Sequence, residues 1–564
     1  MAICSGHLRA VVAGLLALLF VVPASAQTPQ DLEELRRRTQ EESEERARRQ
    51  QEPAVRLPRT VPKLDVESAE LPGEYPCFQV DHLQLTELPP ATFDWIPGWL
   101  ARYDGRCLGR KGIELIIRRL SGRLIADGYI TTRVGLPEQE LTTGILRLEL
   151  VPGRIGAIRY TDAEVTVSWR SAFPVRPGDI LNLRDIEQAL EQYKRVPSQD
   201  VTIDIAPGSQ PGESDIVLTL KQLKAWRVGA TADDGGSRAT GRNQGSLSLS
   251  LDNPLALNDL LSASVNGDLW NDRDTRGTEG YGINYSVPWG WWTTSVSGGR
   301  SRYRQTVQGI NQTFVSSGES TSGELRVQRT VHRAQAHKSS LYLRLQLRAQ
   351  RSAIDGVDLV TQHRQTTAAE AGAVHRHYLG RAQVDLTLAH REGVPWFGGM
   401  EDQPGATASW RYRMNTLDAS LALPFDVANH ALRWNSALRA QQTRNTLYAA
   451  DYFGIGNRYT VRGFDGEHVL AADRGAYWRN DIEAPPDPYG NVFYLGLDAG
   501  RVEGPGSAAL PGRSLAGAAL GVRGAYRMRD ATLSFDLFAG WPLRKPGGLA
   551  TAQPAAGLQL SLQY

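Results

Sequence analysis

The sequence predicts an all-β transmembrane barrel preceded by two small α+β domains and an N-terminal polar helix. Three observations carry that prediction. From about residue 224 to the end, apolar and polar residues alternate with a period of two and no amphipathic helix appears. Residues 75–223 run twice through one order of strands and helices. The final segment alternates Leu558, Leu560, Leu562 and Tyr564 with Gln559, Ser561 and Gln563, as a strand closing a barrel in lipid would.

Composition bounds the possibilities. The 564 residues carry 63 Lys and Arg against 61 Asp and Glu, a net charge of +2, which excludes a chain built to neutralise nucleic-acid phosphates. No apolar run reaches the ~18 residues of a spanning helix, so a helical membrane protein is excluded. At the start, His7 and Arg9, the apolar run Ala10–Val22 and Pro23-Ala24-Ser25-Ala26 follow the order of a secretory signal peptide, so residues 1–26 are expected to be removed. Cys77 and Cys107 are then an even pair in an oxidising compartment and a candidate disulfide; two free thiols are the alternative.

Residues 27–52 predict a helix rich in acid–arginine spacings of four, such as Glu34–Arg38, Glu42–Arg46 and Glu45–Arg49, with only Leu32 and Leu35 apolar enough to bury. A helix so polar on all sides must bridge solvent, fill a hydrated cavity or fray. Residues 53–74 hold Pro53, Pro58, Pro62 and Pro72 without periodicity and read as an extended linker.

In 75–153, Phe78–Val80 and Leu83–Leu85 read as strand and Asp94–Tyr103 as a short helix. Ile113, Ile117, Leu120 and Leu124 form a helical stripe, and Tyr129–Val134 and Gly144–Val151 read as paired strands. In 154–223, Ile155–Tyr160 is strand-like, Ala163–Ala172 helix or turn, and Asn182 caps a helix carrying Ile186, Leu190 and Tyr193. Alternating Val201, Ile203 and Ile205 then turn and return as Ile216–Leu220.

In 224–564 the two faces differ in kind. Leu341, Leu343, Leu345 and Leu347 alternate with Tyr342, Arg344, Gln346 and Arg348, and the same period recurs at Leu247–Leu251, Val384–Leu388, Leu417–Leu423 and Leu533–Leu537. Arginine opposite an apolar face, strand after strand, fits lipid outside and a wet lumen inside, with Arg344 and Arg348 as pore lining. Trp289, Trp291 and Trp292 fit an interfacial girdle. At ~9–11 residues per spanning strand, strand counts of about 14, 16 or 18 all fit.

Three landmarks then point to a family. Cys107-Leu108-Gly109, Gly128 to Val134, Pro137-Glu138-Gln139 and Val151 to Ile155 resemble the first POTRA domain of two-partner secretion transporters, the haemolysin-activator and filamentous-haemagglutinin exporters of the Omp85 superfamily. Phe453 to Phe464, ending in Val461-Arg462-Gly463-Phe464, resembles that superfamily's loop-tip motif. Tyr494-Leu495-Gly496-Leu497-Asp498-Ala499-Gly500 is similar to its inner-wall strand motif. The resemblance implies a barrel of 16 strands, two periplasmic POTRA domains, a helix at 31–52 that plugs the lumen, and a loop whose Arg462 folds back into the pore to meet Asp498. The alternation of Phe493, Leu495, Leu497 and Ala499 independently turns Asp498 inward. The family's barrels commonly end in Phe where this chain has Tyr564, and only part of the family carries the cysteine pair.

The function implied is export of an unfolded partner protein, a haemolysin or adhesin for instance, from periplasm to cell surface. The POTRA domains would bind the partner, the barrel would sit in outer-membrane lipid, and Tyr564 would be read by the outer-membrane insertion machinery. No GxxxxGK loop, GxSxG or HExxH occurs, so no ATP, no cofactor and no catalysis are expected. His375 and His377, with His332 and His337 nearby, read as lumen or loop residues and not as a metal site. An Omp85-type insertase is the alternative, disfavoured by the two-domain count and the plug-like helix.

Overall fold

Sixteen antiparallel strands pair in chain order and close into one barrel. They are β1 (Trp226–Asp233), β2 (Gln244–Asp252), β3 (Leu260–Asp268), β4 (Gly277–Trp289), β5 (Trp292–Gln308), β6 (Thr313–Arg333), β7 (His337–Ile354) and β8 (Arg364–Leu379). The second half comprises β9 (Ala382–Val394), β10 (Arg413–Val427), β11 (His430–Thr443), β12 (Arg474–Glu483), β13 (Val492–Glu503), β14 (Ser514–Arg527), β15 (Thr532–Arg544) and β16 (Ala555–Gln563). This computed structural model describes residues 29–51, 55, 57, 65–270, 272, 274–309 and 311–564. The expected signal peptide lies outside them, and the linker is described only in part.

Closure follows from the solvent. In hydrocarbon every backbone N–H and C=O must be paired within the protein, which a sheet achieves only without edges. β16 meets β1 through a five-residue ladder from Gln559↔Asp233 to Gln563↔Gly229, extended by paired backbone bonds between Tyr564 and Val228. The Tyr564 ring lies 5.6 Å from Trp226 and takes Lys224 Nζ at 3.9 Å from its centroid. An even strand number returns the chain to the end it entered, so the Tyr564 end of this seam lies on the side of the small domains.

The period of two sorts the side chains. Leu247, Leu249, Ile283, Leu341, Leu343, Phe493, Leu495, Leu497, Leu558, Leu560 and Leu562 form an exposed apolar skin, with Trp289 and Trp292 at the rim. Inside, arginines and carboxylates pair across neighbouring strands, as in Arg344–Glu324 at 2.6 Å and Arg391–Glu370 at 2.6 Å. The four histidines correct the sequence reading. His337 stands opposite His377 in register, and both share parity with outward Leu341 and Ala373, so the cluster lies on the outer face at the rim nearest the small domains.

The first small domain packs α2 (Arg110–Ala126) on a sheet in which His82–Leu85 and Ile145–Val151 run parallel and Arg133–Gly135 antiparallel. Its buried stripe is Ile113, Ile116, Leu120 and Leu124; Ile116 takes the place expected of Ile117, which is only partly buried. Glu74 accepts the backbone N–H groups of Gly109, Lys111 and Gly112 at 2.7–2.9 Å, satisfying the orphan donors at the start of α2, and these bonds hold its carboxyl below the usual carboxylate range. Cys77 and Cys107 are disulfide-bonded, tying the short Phe78–Val80/Arg106–Leu108 ladder.

The second small domain repeats the plan. Arg154–Tyr160 runs parallel to Glu213–Gln222, which pairs antiparallel with Gln199–Pro207. Asn182 caps α3 (Leu183–Lys194) by accepting the Arg184 N–H at 2.8 Å. This domain is docked on the barrel mouth: Gln188 and Gln192 donate to the Gly290 carbonyl at 3.2 and 3.1 Å, and Glu191 pairs with Arg333 at 2.8 Å and Lys338 at 2.5 Å.

The polar helix α1 (Pro29–Gln51) lies in the lumen. Its cavity is the barrel itself, and its carboxylates meet wall arginines. Glu34, expected to pair with Arg38, is held by Arg37 at 2.9 Å and by Arg348 of β7 at 2.9 Å, while Arg38 reaches the carbonyls of Ala450 (2.8 Å) and Tyr452. Leu35 is buried among Tyr412, Met414, Leu447, Tyr452 and Ala471.

Candidate gating site in the barrel lumen

The connection between β11 and β12, residues 444–473, folds inward. A short hairpin, Phe453–Ile455 with Leu470–Ala472, gives it a backbone frame. Phe453, Ile455, Val461, Phe464, Leu470 and Ala472 then bury themselves with Tyr477, Val502, Leu515 and Leu549 of the wall and neighbouring loops. An apolar anchor of this size inside a polar lumen fixes where the loop tip sits.

Arg462 is at that tip and only 2% exposed. Its Nε donates to Asp498 Oδ2 at 2.7 Å, its Nη2 to Asp498 Oδ1 at 2.8 Å, and its backbone N–H to Asp498 Oδ2 at 2.9 Å. The guanidinium fork and the carboxylate meet edge to edge, the arrangement that makes arginine specific here and lysine no substitute. A second carboxylate, Asp481 of β12, lies 2.6 Å from Nη2 and also contacts Arg523 at 3.4 Å; Arg523 in turn reaches Glu483 at 3.3 Å. The Tyr494 ring stands under Arg523 at 4.3 Å, and its hydroxyl donates to Asp536 at 2.8 Å.

Glycines make the seat. A Cβ on Gly496 would fall 2.5 Å from Arg462 Nη2, and one on Gly500 would fall 2.9 Å from the Val461 side chain. On β14, a Cβ on Gly517 would fall 1.8 Å from the Arg462 carbonyl oxygen. Gly463 has φ +98°, a left-handed conformation that turns the chain beside the Trp541 carbonyl. The loop thus lies directly on wall backbone over β13–β15.

Of the residues singled out in the sequence, the structure brings Val461, Arg462, Gly463, Phe464, Gly496, Asp498 and Gly500 into this one contact. Arg348 faces α1, and Arg344 is engaged by Glu324 and, at 3.8 Å, Glu370. Tyr564 and the Cys77–Cys107 bond lie elsewhere, at the seam and in the first small domain. Sequence reasoning missed Asp481, although outward Trp478 and Ile482 on β12 give Asp481 the inward parity. It also missed Gly517, for which nothing in the sequence marks the close approach.

The fold has known counterparts. Residues 212–524 match the family described as haemolysin secretion/activation protein ShlB/FhaC/HecB, residues 78–153 a ShlB-type POTRA domain and residues 154–207 a POTRA domain. The outer membrane transporter CdiB-2 of Burkholderia pseudomallei (strain 1026b) is 44% identical over 511 residues, covering 88% of each chain. The haemolysin transporter protein ShlB of Serratia marcescens is 27% identical over 84% of each. The structure of CdiB from Escherichia coli superposes with a TM-score of 0.84 at 26% identity, covering 96% of this chain and 100% of that one. The chain therefore belongs to the ShlB/FhaC/HecB family of two-partner secretion transporters, an outer-membrane barrel with periplasmic POTRA domains.

Proposed function

We propose that this chain carries an unfolded partner protein from the periplasm to the cell surface through its own lumen, gated by α1 and by the Arg462 loop. The observation that carries the reading is the way the lumen is filled. Its occupants are a helix held by side-chain ion pairs, hydrogen bonds and one small apolar contact, and a loop held by its apolar anchor and by Arg462, both of which can leave without breaking a ladder of the barrel wall. A porin has no use for two docked periplasmic domains.

In the proposed cycle the strand edges and helix grooves of the POTRA domains take up extended segments of the partner by β-augmentation. α1 and the loop then leave the bore. The partner threads past the wall that carries Arg344 and Arg348, and its folding outside makes the passage directional without ATP. The apolar skin sits in outer-membrane lipid, and the Tyr564 strand is what the insertion machinery reads. Neither cofactor nor catalytic group takes part in this cycle.

The test is surface delivery. Cells expressing a partner exported protein with this chain should display or release it, and cells in which the Arg462 loop is held to Asp498 should retain it in the periplasm. Equal delivery with the loop held would refute the gate.

A further inference from the structure

The wall facing α1 carries arginines whose partners belong to the helix. Asp31 pairs with Arg364 of β8 at 2.6 Å, Glu34 with Arg348 of β7 at 2.9 Å, Glu42 with Arg439 of β11 at 2.8 Å, and Glu45 with Arg326 of β6 at 3.0 Å. At ~1.5 Å per residue the four carboxylates are strung along roughly 21 Å of helix axis. The helix is sided: Arg36 and Arg38 point instead to the inserted loop, at the Gly466 carbonyl (3.1 Å) and the Ala450 carbonyl (2.8 Å). Other wall arginines hold carboxylates of the wall itself, as in Arg344–Glu324, Arg376–Asp385 and Arg391–Glu370, and those pairs do not depend on α1.

We infer that Arg326, Arg348, Arg364 and Arg439 form a carboxylate-binding track. With α1 seated, the track takes the helix's own side chains. With α1 gone, it takes the carboxylates of acidic segments of the polypeptide in transit and makes the open pore prefer anions. The inference rests on the transport reading and adds the chemistry that the bore selects.

Charge complementarity carries the argument. Each arginine now contacts a carboxylate delivered on a mobile element, so an incoming carboxylate replaces like with like. The guanidinium stays charged at every working pH, is weakly hydrated, and can exchange one oxyanion for another. Arg439 also holds Asp418 at 2.8 Å, which keeps its side chain in the bore when Glu42 leaves. In an extended segment rising ~3.3 Å per residue, acids one and about four residues apart would match the spacings set by Asp31, Glu34, Glu42 and Glu45.

The experiment compares the full chain with one lacking residues 29–51 in planar bilayers under a KCl gradient, with an acidic and a basic ten-residue peptide (all aspartate, all lysine) as blockers. The shortened chain should conduct with a reversal potential of the sign for chloride preference. Aspartate peptide should block it at several-fold lower concentration than lysine peptide. Replacing Arg326→Gln, Arg348→Gln, Arg364→Gln and Arg439→Gln together in the shortened chain should abolish both preferences, with heat-modifiable migration on gels verifying that the barrel is intact. A conducting but cation-preferring pore, or stronger block by the lysine peptide, overturns the track and leaves the transport reading standing. No current from the shortened chain even with Arg462→Ala added to free the loop overturns both.

Discussion

Replacing Arg462 with alanine removes two side-chain donors to Asp498 and the ion pair to Asp481 in a single step. The backbone N–H survives the substitution, so the side chain's two bonds and the Asp481 contact are what is lost. Removing one partner of a buried pair leaves an uncompensated charge and costs about 3–5 kcal/mol. Water can reach a lumen site vacated by a guanidinium, so the lower end applies: about 3 kcal/mol, or roughly 150-fold in the equilibrium between seated and released loop. Asp498→Ala should release the loop less, because Asp481 still holds the guanidinium. Arg462→Lys should fall between, keeping charge and losing the fork. The double variant Arg462→Ala/Asp498→Ala should cost less than the two single losses summed, since the second deletion removes a charge the first left stranded. Single-channel recordings should show this as longer open dwell in the order wild type, Asp498→Ala, Arg462→Ala, and partial proteolysis of whole cells should cut residues 444–473 in the same order. Secretion by the singles should change with it. Wild-type dwell, proteolysis and secretion in both single variants would refute the lock.

Three further outcomes follow from other contacts. Breaking Glu34–Arg348 and Asp31–Arg364 together with Arg348→Ala and Arg364→Ala removes two α1 ion pairs at about 1 kcal/mol each, so the helix should leave the bore roughly 30-fold more often, read as open-channel frequency. Burial near Asp179, where α3 begins, pushes the Asp185 carboxyl up to about 7. A raised carboxyl binds more protons folded than unfolded, so its contribution to stability is full below about pH 4 and declines as pH rises to about 7. Asp185→Asn should therefore raise the melting temperature of the periplasmic domains at pH 8 and leave it unchanged at pH 4. Reducing Cys77–Cys107, or replacing both with Ser, reopens a loop of 30 residues and should destabilise the first POTRA domain by about 3–4 kcal/mol, with barrel heat-modifiability unaffected.

What could be read from the sequence was local. A period of two decides which face a strand residue takes, so the lipid-facing set on β13 and the inward turn of Asp498 were available without coordinates. Motif and parity together named both partners of the Arg462 contact although 36 residues separate them. Partner choice across hundreds of residues was not legible. Glu34 has a good helical neighbour in Arg38, yet Arg348, more than 300 positions away, takes it because the lumen wall brings a second arginine to the same carboxylate. The same limit hid Asp481 and Gly517, whose roles depend on how deep the loop tip reaches. The histidines were misplaced for a different reason: four polar rings suggest a wet face, but at the rim of a barrel the outer face is wet as well, and the parity of Leu341 and Ala373 overrules their polarity.

The central claim is that the partner passes through the bore, and site-directed photocrosslinking tests it most directly. A photoreactive side chain at Gln346, on the inner face of β7, should capture a partner stalled in secretion; one at Leu343, 67% exposed on the lipid face of the same strand, should capture none. Capture from Leu343 with none from Gln346 would put the path outside the barrel and contradict the account.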